Sequence, residues 1–325
     1  MRRATVLGAG VAGLCVAAEL AARGCEVTVR DPSPTPGPHG CSWWAGGMLA
    51  PFCEGESAEE PVVRLGQGAA DWWARQGVQV ERQGTLVLAL GRDRRELDRF
   101  ARRVPQAERL DADGVAALEP DLAGRFDRGL LVRGEAHLDP RAALTHLRAR
   151  LEGEGVRFVA DAGRPEGRVF DCRGLAARDR LPDLRGVKGE MAVLRSAELR
   201  LARPVRLLHP RHPLYVVPRA GGLFMLGATQ IESDDRRRSV RAALELLSAA
   251  YALHPAFGEA ELVEHGADAR PAFPDNLPRL RRQGDAILVN GLFRHGFLLA
   301  PALAAQAVQA AFDDARPELM DADHD

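Results

Sequence analysis

The chain has 325 residues, 46% hydrophobic and 27% charged, the proportions of a globular protein long enough for one large or two interleaved domains. Its formal net charge of −1 provides no field to draw it to nucleic acid or to an anionic membrane surface. The five cysteines (Cys15, Cys25, Cys41, Cys53 and Cys172) are odd in number and contain no CxxC pair. They argue against a disulfide framework or a zinc site and for a reducing, cytoplasmic compartment.

The first element reads as strand, turn and helix. An apolar run at 5–7 leads into Gly8-Ala9-Gly10-Val11-Ala12-Gly13, a helix-compatible stretch at 14–23, and a second β-like run at 26–30 that ends at Asp31. In such a unit Gly8 makes the tight turn, Gly10 lets a pyrophosphate approach the backbone, and Gly13 packs the helix on the strand. The N–H groups of Val11 and Ala12 then face the phosphates at the positive end of the helix dipole. Asp31 lies 31 − 13 = 18 residues beyond the last glycine, placed to bond a ribose hydroxyl. Met1-Arg2-Arg3 before apolar residues imitates a secretory signal, but three glycines and Glu19 interrupt the run, so a dinucleotide clamp is the better reading.

A Pro/Gly-rich loop at 32–40 precedes the segment 41–51, which carries Ser42, Gly46, Gly47 and Met48. Helices are expected at 59–76, 93–103 and 140–153, and strands at 85–90, 156–160 and 169–172. Beyond Lys188 the texture becomes β-rich, with strands at 189–195, 205–209, 214–218 and 223–228. The last two are joined by a hairpin loop at 219–222. One amphipathic helix, 238–253, interrupts them. A strand at 286–290 and a closing helix from about 301 to 313 complete the chain. The apolar stretch at 297–311 contains Pro301, Gln306 and Gln309, so no membrane span is expected. The 209–212 segment (His-Pro-Arg-His) lacks an acidic or thiol partner nearby and reads as a loop, and no metal site is expected.

The closing segment, Asn290-Gly291-Leu292-Phe293-Arg294-His295-Gly296-Phe297-Leu298-Leu299-Ala300-Pro301-Ala302, resembles the C-terminal flavin-binding loop and helix of the D-amino-acid-oxidase superfamily. Within it the sequence is most similar to the glycine oxidases of thiamine biosynthesis. Four further blocks agree in collinear order: 45–49 (Ala-Gly-Gly-Met-Leu), 187–190 (Val-Lys-Gly-Glu), 215–219 with 226–229, and Ala269-Arg270-Pro271. The resemblance implies an α/β fold in which a Rossmann-like FAD-binding domain is interleaved with an antiparallel β-rich substrate domain. The expected boundaries are 1–80, 140–186 and 271–325 for the FAD-binding parts, and 81–139 and 187–270 for the substrate parts.

The resemblance also implies non-covalent FAD and oxidation of a small amine acid by hydride transfer, with O2 as acceptor and H2O2 as product. Arg270 matches the arginine that pairs with the substrate carboxylate, and a guanidinium fork suits a carboxylate bidentately. Tyr215 matches the tyrosine that adds a hydroxyl. Arg294 lies on the loop whose carbonyl accepts from the substrate amine. Ser42, Gly46, Gly47, Met48, His295, Gly296, Phe297 and Leu298 are expected around the flavin, with Met48 also lining the substrate space. The N-terminus of the last helix faces the flavin atoms where negative charge develops on reduction.

Lys188 is the only lysine among 44 basic residues, and a compact, tunable ammonium kept at one position suggests a role beside the flavin or in O2 reduction. Thiazole synthase is the partner the resemblance suggests, and a homo-oligomer is expected. The region 162–174 is abbreviated relative to the family, leaving the adenine side undefined, and Gln230 stands where an apolar pocket residue is usual. Sarcosine, a D-amino acid or a tRNA-linked amine remain open as substrates. So do two other classes, a nicotinamide dehydrogenase and a non-catalytic nucleotide-binding protein.

Overall fold

The computed structural model describes residues 2–160, 163–209, 213–313 and 315–321. A six-stranded sheet is ordered Arg279–Gln283, Ala286–Asn290, Arg168–Asp171, Arg3–Leu7, Glu26–Arg30, Arg157–Val159. Five of these strands run parallel, and Arg279–Gln283 is added antiparallel at one edge. The strand Arg3–Leu7 is apolar and buried in its middle, as a strand covered on both faces must be. Helix Val11–Ala22 is buried nearly all round because helix Gly296–Phe312 packs beside it. Pro301 lies inside that last helix, where it supplies no N–H to the carbonyl four residues back. That carbonyl, of Phe297, accepts instead from the buried Trp73 indole at 2.9 Å. The helix therefore begins at Gly296, five residues before the expected start.

The second sheet has nine strands. Its path runs Ile231–Glu232, Arg185–Arg195, Leu223–Gly227, Leu214–Arg219, Val205–Leu208, Thr85–Ala89, Arg128–Val132, Glu108–Asp111, and the long strand Glu261–Ala272 pairs with Arg185–Arg195. All its pairings are antiparallel except Thr85–Ala89 with Val205–Leu208, which is parallel. The two strands come from separate excursions out of the first sheet, so no hairpin fixes their direction. Strands from 85 to 132 and from 185 to 272 build this sheet, and those from 3 to 30, 157 to 171 and 279 to 290 build the other. Arg185–Arg195 and Glu261–Ala272 run across the expected boundaries at 186/187 and 270/271.

Several elements differ from expectation. The helix expected at 59–76 is two, Glu60–Gly66 and Ala69–Arg75, and Gly66 at the end of the first with Gly68 before the second accounts for the break. The strands Glu108–Asp111, Arg128–Val132, Glu261–Ala272 and Arg279–Gln283 were not anticipated. The first is largely exposed and polar, and the third opens with an exposed half, so neither carries a period-two apolar signal. Within the 209–212 and 162–174 segments, 210–212 and 162 lie outside the described residues. Among the described residues no helix is long and apolar enough to cross a membrane, and no group of three or more His, Cys, Asp or Glu is placed to hold a metal.

Candidate functional site

One cavity of about 900 Å³ runs between the two sheets, within the range of small-molecule and cofactor sites. At one end lies the glycine turn. Gly8 has φ +98°, and a Cβ there would sit 2.6 Å from the Cys172 carbonyl oxygen. Gly10 precedes the first turn of helix Val11–Ala22 and lines the cavity with Val11 and Ala12. Gly13 does not line it. A Cβ on Gly13 would stand 1.9 Å from the Gly8 carbonyl oxygen, so its part is to let the helix close on the turn. Asp31 accepts from Ala9 N–H at 2.8 Å and from Ser33 N–H at 2.7 Å, fixing the turn while lining the cavity. The Ser42 hydroxyl accepts from Val11 N–H at 3.1 Å and thereby joins the 41–44 turn to the helix start.

The middle of the cavity is walled by Gly46, Gly47 and Met48 on one side and by His295, Gly296, Phe297 and Leu298 on the other. Gly47 has φ +74°, and a Cβ there would reach within 2.2 Å of the Leu138 carbonyl oxygen. Arg219, which sequence reasoning did not single out, donates to Gly46 O at 2.6 Å and to Leu138 O, and so ties down both sides of this loop. The first-turn N–H groups of helix Gly296–Phe312 have no acceptor within the helix. They meet the start of helix Val11–Ala22 so closely that a Cβ on Gly296 would be 3.3 Å from Val11 Cγ1. Two positive helix ends thus open on one cavity.

The far end holds Arg270 and Tyr215. Strand alternation aims Gly189 at the cavity opposite Arg270. A Cβ on Gly189 would lie 2.8 Å from Arg270 Nη2, so the glycine makes the space the guanidinium occupies. Arg270 donates from Nε to Val187 O (3.2 Å) and from Nη2 to Thr229 O (2.6 Å) and Lys188 O (3.3 Å). Its Nη1 has no partner among the described residues. The expected two-nitrogen fork is therefore narrowed, because Nη2 is engaged by backbone and Nη1 is the donor left for a ligand. Burial pulls the Arg270 pKa below its usual value, with the nearby Arg294 charge acting the same way.

Tyr215 stands between Gly46 and Gly227, whose Cβ atoms would meet its ring or hydroxyl at 2.8 and 2.6 Å. Burial raises its phenol above the ordinary value, which keeps the hydroxyl a donor. Phe293, at φ +48°, places its ring 5.5 Å from Arg270 Cζ and 5.8 Å from Arg294 Cζ.

Arg294 lines the cavity, but its side chain is spent on Glu54 (2.7 Å) and Ser57 (2.8 Å). Glu54 also lies 2.9 Å from His295 Nε2 and 3.8 Å from Arg206. Burial alone would raise the Glu54 carboxyl, yet Arg294, His295 and Arg206 hold it well below the usual range. Glu54 and Arg206 were both missed in the sequence. Cys41 lines the cavity, and burial pushes its thiol up to about 11, so it stays protonated and is a poor nucleophile for covalent attachment. Gln230 also lines the cavity.

Lys188 is placed differently from its expectation. It does not line the cavity. Its neighbours Gly189 and Met191 do, whereas Lys188 and Glu190 point to the opposite face of the strand, where they are 5% and 0% exposed. The alternation of a β-strand leaves no other arrangement once Gly189 faces Arg270.

A continuous cavity, a glycine turn no Cβ could enter, two helix N-termini and an acid at the second strand together fit a flavin dinucleotide. Residues 3–310 match the FAD dependent oxidoreductase family, and the chain belongs to that family, whose cofactor is FAD. It is 56% identical over 313 residues to the "Putative thiamine biosynthesis oxidoreductase ThiO" of Rhizobium etli, covering 94% of this chain and 95% of that protein. It is 28% identical over 344 residues to a glycine oxidase of Pseudomonas aeruginosa, covering 92% of each. The crystal structure of glycine oxidase from Geobacillus kaustophilus superposes with a TM-score of 0.81 at 23% identity, over 98% of this chain and 97% of that one. The nicotinamide dehydrogenase alternative is thereby set aside.

Proposed function

We propose that this chain oxidises a small amine acid, glycine foremost, with O2 as acceptor. Glycine and O2 would give the imine of glyoxylate and H2O2, and water would then release glyoxylate and ammonia. The observation that carries this reading is Arg270 Nη1, left without a partner among the described residues on a cavity that Tyr215 also lines. The two donors suit one carboxylate. The names of the Rhizobium and Pseudomonas relatives support the same substrate class and a place in thiamine biosynthesis.

The residues divide the work. Gly8, Gly10, Val11, Ala12, Asp31 and Ser42 hold the dinucleotide, with Gly13 letting the helix close on the turn behind them, and Gly46, Gly47, Met48, His295, Gly296, Phe297 and Leu298 enclose the flavin ring. When bound, FAD supplies the two-electron acceptor, and the protein supplies orientation and electrostatics. Arg270 and Tyr215 fix the carboxylate so that the α C–H has one orientation. The helix end at Gly296 favours negative charge in its neighbourhood. Arg294 keeps Glu54 ionised and ordered rather than contacting the carboxylate itself. Delivery of the imine to a thiazole-forming partner is part of the same proposal.

The test is product analysis. Purified holoenzyme given glycine in air is expected to release glyoxylate, ammonia and H2O2 in equal amounts. No turnover of glycine, sarcosine or D-alanine would overturn the substrate class.

A further inference from the structure

The far side of the strand that carries Gly189 holds a buried charge cluster the reaction does not touch. The Glu190 carboxylate accepts from Ser239 N–H at 2.8 Å and Ser239 Oγ–H at 2.8 Å. Lys188 Nζ lies 3.0 Å from it and His265 Nε2 3.3 Å. The Lys188 ammonium also donates to the Arg237 carbonyl. The Glu190 backbone pairs with Thr229: its N–H donates to Thr229 Oγ1 at 2.9 Å, and Thr229 N–H returns a bond to Glu190 O at 3.2 Å. Ile231 pairs with Lys188 across the sheet.

Residues 229–239 are therefore seated along Lys188 and Glu190: Thr229 on the Glu190 backbone, Ile231 paired with Lys188, the Arg237 carbonyl on Lys188 Nζ, and Ser239, which caps helix Val240–Leu253, on the Glu190 carboxylate. That segment contributes Gln230 and Arg236 to the cavity wall. Its first carbonyl, of Thr229, takes Arg270 Nη2 at 2.6 Å, the shortest of the three bonds that hold the guanidinium.

We propose that Lys188 is a positioning residue for the carboxylate clamp. Its ammonium neutralises the Glu190 carboxylate that holds Ser239 and itself holds the Arg237 carbonyl, so the 229–239 segment stays seated against the strand whose backbone holds Thr229, and the Thr229 carbonyl then fixes Arg270 with Nη1 left for the ligand. The proposal rests on the reading of Arg270 as the carboxylate ligand. It also gives the chain's only lysine a physical reason. The pocket between the Arg237 carbonyl and Glu190 takes a compact ammonium, whereas a planar guanidinium needs a wider fork. Removing the lysine leaves a fully buried carboxylate without its cation, which a buried pair tolerates poorly.

The experiment is a titration of holoenzyme with glycolate, the hydroxy analogue of glycine, followed by the flavin absorbance. Lys188→Met is expected to raise the glycolate Kd at least tenfold. FAD affinity and the rate at which photoreduced flavin is reoxidised by O2 should stay within twofold of wild type. Lys188→Met/Glu190→Gln, which removes both charges, is expected to regain part of the lost affinity. Glycolate bound by Lys188→Met as by wild type overturns the proposal, as does equal loss of FAD and glycolate. If Lys188→Met does not fold, Glu190→Gln alone is judged by the same criteria. Arg270→Ala separates the two readings. Should it bind glycolate normally, the clamp itself is wrong. Should it lose glycolate while Lys188→Met does not, only the positioning role falls.

Discussion

Arg270→Ala takes away the charged one of the two donors proposed for the carboxylate and leaves Tyr215 in place. The structure sets the size of the effect. Nε and Nη2 are engaged by the carbonyls of Val187, Lys188 and Thr229, so the substrate interaction lost is that of Nη1 alone. A hydrogen bond between charged groups is worth roughly 1.5–3 kcal/mol, and stranding a desolvated carboxylate adds to that. About 3 kcal/mol in total corresponds to about a hundredfold rise in KM for glycine. The three carbonyls also lose donors, so the variant should melt at a lower temperature, but Arg270 does not touch the glycine turn and FAD should remain bound. Arg270→Lys keeps a charge but cannot reach three carbonyls and a ligand at once, and is expected to fall between the two. The assay is steady-state oxidation of glycine on protein whose flavin content has been measured. A KM within threefold of wild type at full flavin occupancy would refute the assignment.

Three further outcomes follow from the geometry. Gly13→Ala puts a Cβ 1.9 Å from the Gly8 carbonyl oxygen. Forcing the helix off the turn costs roughly 1–3 kcal/mol and should strip FAD during purification; a stable yellow variant would contradict this. Asp31→Ala loses the acceptor for Ala9 and Ser33 N–H as well as the proposed ribose contact, and FAD affinity should drop by about tenfold to a hundredfold (roughly 1.5–3 kcal/mol), as followed by flavin fluorescence. An unchanged affinity would remove Asp31 from the ribose site. His137 is 4% exposed, and burial, aided by the Arg219 charge, holds its imidazole down to about 4 from the usual 6.5. The unfolded chain takes up this proton first, so the stabilisation is present above pH 6.5 and is lost as pH falls toward 4. The whole window is worth about 3 kcal/mol. Thermal melts between pH 7 and pH 4.5 should fall less steeply for His137→Gln than for wild type, and parallel curves would refute the argument.

The parts of the site legible in the sequence are those whose physics is local. Gly8, Gly10 and Gly13 are demanded by a turn and a close approach within six residues, so spacing alone announces them. Arg270 and Tyr215 could be placed only through resemblance, since nothing in 43 arginines marks one as a ligand. Lys188 illustrates a signal present but unread: with Gly189 making room for Arg270, strand alternation already turns Lys188 away from the cavity. Glu54 carried no signal at all, because His295 lies 241 residues away in sequence and only the closed fold brings them together. The strand Glu261–Ala272 was hidden by the polar, exposed character of its first half.

The central claim is that bound flavin takes electrons from glycine held at Arg270. Its most direct measurement is the visible spectrum of the purified protein under anaerobic conditions, before and after glycine. Flavin bands are expected to bleach on adding glycine and return with air, and Arg270→Ala to shift the bleaching to about hundredfold higher glycine. Flavin bands that persist at saturating glycine, and equally with sarcosine or D-alanine, would contradict it.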